Sequence, residues 1–152
     1  MKTVSRDDIQ NHVGQEAEPS AWFAVKQEQI DQFADCTLDH QFIHIDPVKA
    51  KETAFGSTIA HGFLSLSMLS HFAESFGTLI DGTYMGVNYG FDKVRFINPV
   101  KVDSKIRGTA KLVEAVEKKP GQFMLKTEVA IEIEGSDKPA LKAEWITMQM
   151  VK

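Results

Sequence analysis

From Gly62 to Phe76 the residues Phe63, Leu64, Leu66, Met68, Leu69, Phe72, Ala73 and Phe76 leave only a narrow polar stripe on a helix, and a helix apolar nearly all round is one enclosed by protein. The rest of the chain must supply that enclosure. After Gly82 the period falls to two: Val102, Ser104, Ile106, Gly108, Ala110 and Leu112 alternate with Lys101, Asp103, Lys105, Arg107 and Lys111. Phe123, Leu125, Thr127, Val129, Ile131 and Ile133 then alternate with Lys126, Glu128, Glu132 and Glu134. These are long strands with one wet face. Lys118-Lys119-Pro120-Gly121 and Gly135-Ser136-Asp137-Lys138-Pro139 are short enough for hairpins, so the second half reads as an antiparallel meander ending near Ala140 to Val151. One buried helix, ended by Gly77 with a positive φ, and one curled sheet give an α+β fold in which the sheet wraps the helix.

Before that helix, Ile30, Phe33, Ala34, Thr37 and Leu38 recur at helical steps opposite Gln27, Glu28, Asp31 and Gln32, which predicts an amphipathic helix over 26–38. Asp46 reads as an N-cap, with Pro47 opening a short helix that runs through Ala54 and stops before Gly56. Residues 39–45 are then a tight connection between helices. No repeat or linker-like tract interrupts the chain, and 152 residues at 43% hydrophobic and 25% charged fit one domain over 1–152. A net charge of -4 argues against a general affinity for nucleic acid or anionic membrane. The sole cysteine, Cys36, permits no intrachain disulfide, and the first residues lack the apolar run of a signal peptide, so a reducing cytosol is expected. Ser65, Ser67, Ser70, His71, Glu74 and Ser75 make the 62–76 segment too polar for a membrane span. A soluble protein with no nucleic-acid or membrane partner is expected.

The chemistry concentrates in Asp39-His40-Gln41-Phe42-Ile43-His44-Ile45-Asp46-Pro47 and in His61-Gly62. A carboxylate, an imidazole and a helix N-terminus are the parts needed to add or remove water beside a carbonyl. Asp39 and His44, five residues apart across a tight connection, can converge on one water. The N–H groups near Gly62 open the buried helix, where the helix dipole favours developing negative charge and glycine permits close approach.

These residues resemble a known family. Together with Phe55-Gly56-Ser57-Thr58-Ile59-Ala60-His61-Gly62-Phe63-Leu64-Ser65-Leu66-Ser67 and Asn88-Tyr89-Gly90-Phe91-Asp92-Lys93-Val94-Arg95-Phe96, the 39–47 segment is similar to the MaoC-like dehydratases, or R-specific enoyl-CoA hydratases, of the hotdog fold, and to their nodulation protein N-like branch. The resemblance runs from about Gln27 to the C-terminus. It implies a lyase that hydrates a 2-enoyl thioester, with Asp39 and His44 in the acid–base roles, the Gly62 amide as oxyanion donor, and Ser70 supporting the acid. It also implies coenzyme A or an acyl carrier as part of the substrate, no resident cofactor, and a homodimer or higher oligomer. The common family motif has Gly before the Asp and Asn-Pro after it, where this chain has Leu38 and Gln41-Phe42; the latter matches the nodulation protein N-like variant and bears on the substrate more than on the machinery.

Plainer roles compete for several of these residues. Asp46 is first an N-cap. Asp39, His44, Asp46 and His61 are suitable metal ligands by type, but no pair has recognisable metal-motif spacing, so no metal is expected. His61 divides between support of the site and loop packing, and His40 and Gln41 shape the loop. Cys36 reads as a small buried filler. Lys93 and Arg95 can meet carrier phosphates, although alternating strand charges are usually a wet face. Two other functions remain open: a non-catalytic acyl-thioester-binding module, and a hotdog thioesterase. Thioesterases of that fold commonly place an acid on the central helix, and here the only acid, Glu74, lies near its far end.

Overall fold

The computed structural model describes residues 1–152. Its main sheet is built from β2 (Phe23–Ala24), β4 (Thr83–Phe96), β5 (Lys105–Lys119), β6 (Gln122–Ile133) and β7 (Leu141–Val151) in the order β2-β5-β6-β7-β4. The expected meander is therefore β5-β6-β7, and β4 closes on β7. A separate parallel pair joins β1 (Lys2–Val4) to β3 (Thr78–Ile80). The alternation read from the sequence decides the faces: Ile106, Ala110, Val129, Ile131, Leu141 and Ala143 are buried in one core with the helices, and Leu112 and Leu125 in a second with Val4, Ile9 and Ile80.

The helices are α1 (Gln27–Thr37), α2 (Phe42–Ile45), α3 (Pro47–Lys51), α4 (Gly62–Ser67) and α5 (Leu69–Phe76). Leu69, Phe72 and Phe76 of α5 press onto the sheet. A Cβ at Gly108 would lie 2.7 Å from the Phe76 ring and 2.8 Å from Phe72, so the absence of a side chain sets how closely helix and strand approach.

Several expectations need correction. The single helix over 62–76 is two segments divided at Met68, where ψ is -15°. The Ser67 hydroxyl donates to the Phe63 carbonyl at 2.8 Å, the back-bonding that bends helices. Nor is that helix enclosed: Phe63 is 67% exposed, and Ser67, Ser70, His71 and Glu74 share its open side. Gly77 ends α5 at φ -63°, not in the left-handed region; a Cβ there would sit 2.6 Å from the Ala73 carbonyl oxygen. Residues 39–45 are not all connection, since 42–45 form α2, and α3 stops at Lys51. Cys36 is exposed on α1.

The sheet has two unlike edges. Along β5 the N-terminal segment donates backbone bonds from Gly14 to Leu112, from Ala17 to Ala110 and from Ser20 to Gly108. Along β4 nothing covers the side away from β7, and Tyr84, Met85, Val87 and Tyr89 are exposed. No helix is long and apolar enough to cross a membrane.

Candidate active site

The site begins where α1 ends. Leu38 takes φ 62°, ψ 21°, the left-handed conformation that caps a helix and turns the chain. This is where the related motif carries glycine, and a leucine there costs about 1 kcal/mol. Asp39 follows on the exposed turn, its Oδ1 accepting from the Gln41 N–H at 3.4 Å. Gln41 in turn precedes α2, where its carbonyl accepts from the His44 N–H at 2.9 Å.

His44 is 7% exposed. Its Nδ1 lies 2.7 Å from the Ile59 carbonyl oxygen, which can only accept, so Nδ1 carries the hydrogen and Nε2 keeps its lone pair. Burial is the main reason its pKa lies below the ordinary 6.5, with neighbouring His61 adding to the effect and the Ile59 bond and Asp39 opposing it. The ring is thus a neutral acceptor at neutral pH.

Two residues hold this corner together and carry no sequence signal for the task. The Gln27 amide donates to the His44 carbonyl at 2.7 Å and accepts from the buried Thr58 hydroxyl at 2.5 Å. Gln27 reads from sequence only as the polar start of α1. It ties α1, α2 and the 58–59 segment together, and the Ile59 N–H completes the tie by donating to the Ile43 carbonyl at 3.0 Å.

His61 is 3% exposed and packs against both partners. Its ring stacks on His44 with centroids 3.8 Å apart, and its Nε2 donates to the Asp39 carbonyl at 3.0 Å. Nδ1 is then a buried acceptor with no donor. The heteroatoms of Asp39, His44 and His61 lie within 4.8 Å of one another. They suit a metal poorly, because imidazole lone pairs lie in the ring planes and rings inclined by only 23° cannot aim theirs at one ion. Asp46 stands apart: its carboxylate caps α3 by accepting from Val48 at 3.1 Å and Lys49 at 3.0 Å, and the Lys49 backbone bond chiefly lowers its pKa.

Gly62 opens α4 directly after His61, and as the first helical residue its N–H has no acceptor within the helix. The space beside its Cα is not open, however. A Cβ would meet the Phe96 ring at 2.9 Å, so a valine at 62 tests packing as much as the amide. Ser70 is on the exposed side of α5 and lines a cavity between that helix and the sheet, without a bond to Asp39. Lys93 pairs with Glu144, and the Arg95 guanidinium donates to the Val94 carbonyl at 2.8 Å. Neither is brought to the Asp39 corner by a contact, and His40 bonds to Asp35 on the surface.

The MaoC-like domain family matches residues 8–134. This chain is a MaoC-like dehydratase family member. It is 46% identical over 149 residues to nodulation protein N of Rhizobium leguminosarum bv. viciae, covering 97% of this chain and 92% of that protein. It is 40% identical over 139 residues to 3-hydroxyacyl-thioester dehydratase Z of Mycobacterium tuberculosis, covering 91% of each. The unliganded R-hydratase of Pseudomonas aeruginosa superposes with a TM-score of 0.71 at 24% identity, over 92% of this chain and 83% of that one. The family's hotdog fold is the α+β arrangement seen here.

Proposed function

We propose that this protein reversibly adds water to a 2-enoyl thioester, enoyl-CoA or its acyl-carrier equivalent, giving the 3-hydroxyacyl thioester. The observation that carries the reading is the Ile59 carbonyl holding the hydrogen on His44 Nδ1, which leaves Nε2 unprotonated beside the Asp39 carboxylate. A water donating to both acceptors is oriented by Asp39 and loses its proton to His44 as its oxygen bonds to the β-carbon. The π pair moves toward the thioester, where the Gly62 N–H meets the developing oxyanion, and the α-carbon takes up the proton that His44 Nε2 received from the water, which returns the ring to its neutral form. His61 holds the Asp39 backbone in place and Gln41 its carboxylate. Dehydration retraces these steps.

We assign the acyl chain to a cavity of about 600 Å³ that Ser70, Ala73 and Phe76 line further along the helix pair that Gly62 opens; Asp39, His44, His61 and Gly62 do not line it. Coenzyme A enters as part of the substrate and no resident cofactor is needed. We read residues 1–152 as one domain working in the reducing cytosol as a homodimer. The support for a dimer is the open β4 edge with exposed Tyr84, Met85, Val87 and Tyr89, together with exposed Phe63 and Phe96; an uncovered apolar edge strand is a template for pairing with another chain. The dehydratase name of the mycobacterial relative supports the reaction class.

The test is a panel of 2-enoyl and 3-hydroxyacyl thioesters of coenzyme A and acyl carrier protein, followed by enoyl absorbance. Interconversion is expected. Tight binding without turnover would replace this reading with that of a binding module, and release of free thiol would favour a thioesterase.

A further inference from the structure

The cavity under α5 is floored by the inner face of the sheet, where a site for a plain hydrocarbon chain would present leucine or valine. Three neighbouring strands present polar groups there instead. Thr127 on β6 stands opposite Trp145 on β7, and two residues along β7 Thr147 stands opposite Asn88 on β4. All four line the cavity, and Ser70 faces it from α5. Thr127 interrupts the buried run Leu125, Val129 and Ile131 on the same face.

These groups have no partners within the chain. Gln149, on the same floor, shows the usual arrangement: its amide donates to the Thr78 carbonyl at 2.7 Å and accepts from the Ile80 N–H at 2.9 Å. The side chains of Ser70, Asn88, Thr127 and Thr147 make no such bond. Trp145 is 7% exposed, and its indole N–H is shut from solvent with no acceptor. A hydrocarbon that displaced water from this floor would leave the half-buried Thr127 and Thr147 hydroxyls unpaired, whereas an occupant carrying oxygen would satisfy them; Ser70 and Asn88 are exposed and keep their water.

We propose that the cavity selects acyl chains bearing an oxygen function, hydroxyl or carbonyl, beyond the 3-position, which the Thr127 and Thr147 hydroxyls recognise. This rests on reading the cavity as the acyl site of a thioester enzyme. A site built to hydrogen-bond a ligand discriminates against the analogue that lacks the group far better than an apolar pocket discriminates by size. The polar floor is thus a specificity device.

Calorimetry with the full-length protein tests it by comparing octanoyl-CoA with the positional isomers 4- to 8-hydroxyoctanoyl-CoA. At least one isomer is expected to bind about tenfold more tightly than octanoyl-CoA, the worth of one well-formed hydrogen bond. Thr127→Val and Thr147→Val, which remove a hydroxyl at nearly constant volume, should erase that preference and tighten octanoyl-CoA binding. Thr127→Ser and Thr147→Ser keep the hydroxyl and should keep the preference, which separates lost recognition from a loosened fold. If no isomer outbinds octanoyl-CoA, or if the valine variants leave the ratio unchanged, the proposal is wrong. Binding needs no turnover, so a preference without hydration would overturn the hydratase reading and leave the polar floor intact; hydration without a preference would do the reverse.

Discussion

At the Asp39 corner, polar groups are held by the protein itself: His44 Nδ1 by Ile59, the His44 carbonyl by Gln27, Gln27 by Thr58 and the Asp39 carbonyl by His61. Under α5 the half-buried Thr127 and Thr147 hydroxyls line the cavity without a partner in the chain. The difference separates two tasks. A group that must transfer a proton is fixed before substrate arrives, so that reaction requires no reorganisation. A group that must recognise is left with its bond unmade until the right ligand makes it.

The largest effects should come from breaking the corner. Asp39→Asn and His44→Ala are each expected to lower hydration at least about a hundredfold, measured as kcat/KM on an enoyl thioester. His61 acts through others, so its effect should be smaller and fall on kcat. His61→Leu removes the tether to Asp39 and the stack on His44, with an expected loss of about ten- to a hundredfold. His61→Gln restores an N–H donor and should recover part of it. A purely structural His61 would lower the thermal midpoint in both variants with no difference in kcat.

The acid limb of kcat/KM should lie below pH 6.5, because burial favours neutral His44. The sign for stability is the same. The fold prefers the neutral ring, so this contribution is complete above the unfolded value of 6.5 and is lost as pH falls from there through the folded value. Denaturant melts of wild type and His44→Ala across pH 5–8 should diverge least at the acid end. The smallest effect belongs to Leu38, which is 81% exposed and strained at φ 62°. Leu38→Gly should stabilise by up to about 0.5 kcal/mol, the relief of about 1 kcal/mol of left-handed strain less the added freedom of the unfolded chain. Differential scanning calorimetry should show the midpoint rise by about 1 to 2 °C, with turnover retained.

What the sequence made legible was whatever repeats along the chain. Alternation placed Ile106 to Leu112 and Phe123 to Ile133 on the right face, and Asp46-Pro47 marked a real cap, since the local pattern and the tertiary packing agree there. What it hid was set by contacts between distant residues. Nothing in a period reveals that His61 stacks on His44, or that Gln27 reaches the His44 carbonyl. The bend at Met68 depends on one serine hydroxyl competing for a helix carbonyl, and the open side of α4 and α5 depends on how far the sheet wraps them. Leu38 could be seen as a departure from the related motif, but its cost shows only in φ. Thr127 reads as an ordinary inward strand residue until the cavity beside it is seen.

The central claim is that Asp39 and His44 act on one water as a unit, and a double-mutant cycle on hydration of an enoyl thioester tests it most directly. The two single variants and Asp39→Asn/His44→Ala would be assayed with the same substrate at pH 7. If the claim holds, the double variant is little worse than the worse single, since a unit already broken cannot be broken twice. Near-normal turnover in either single, or losses that multiply in the double, would contradict it.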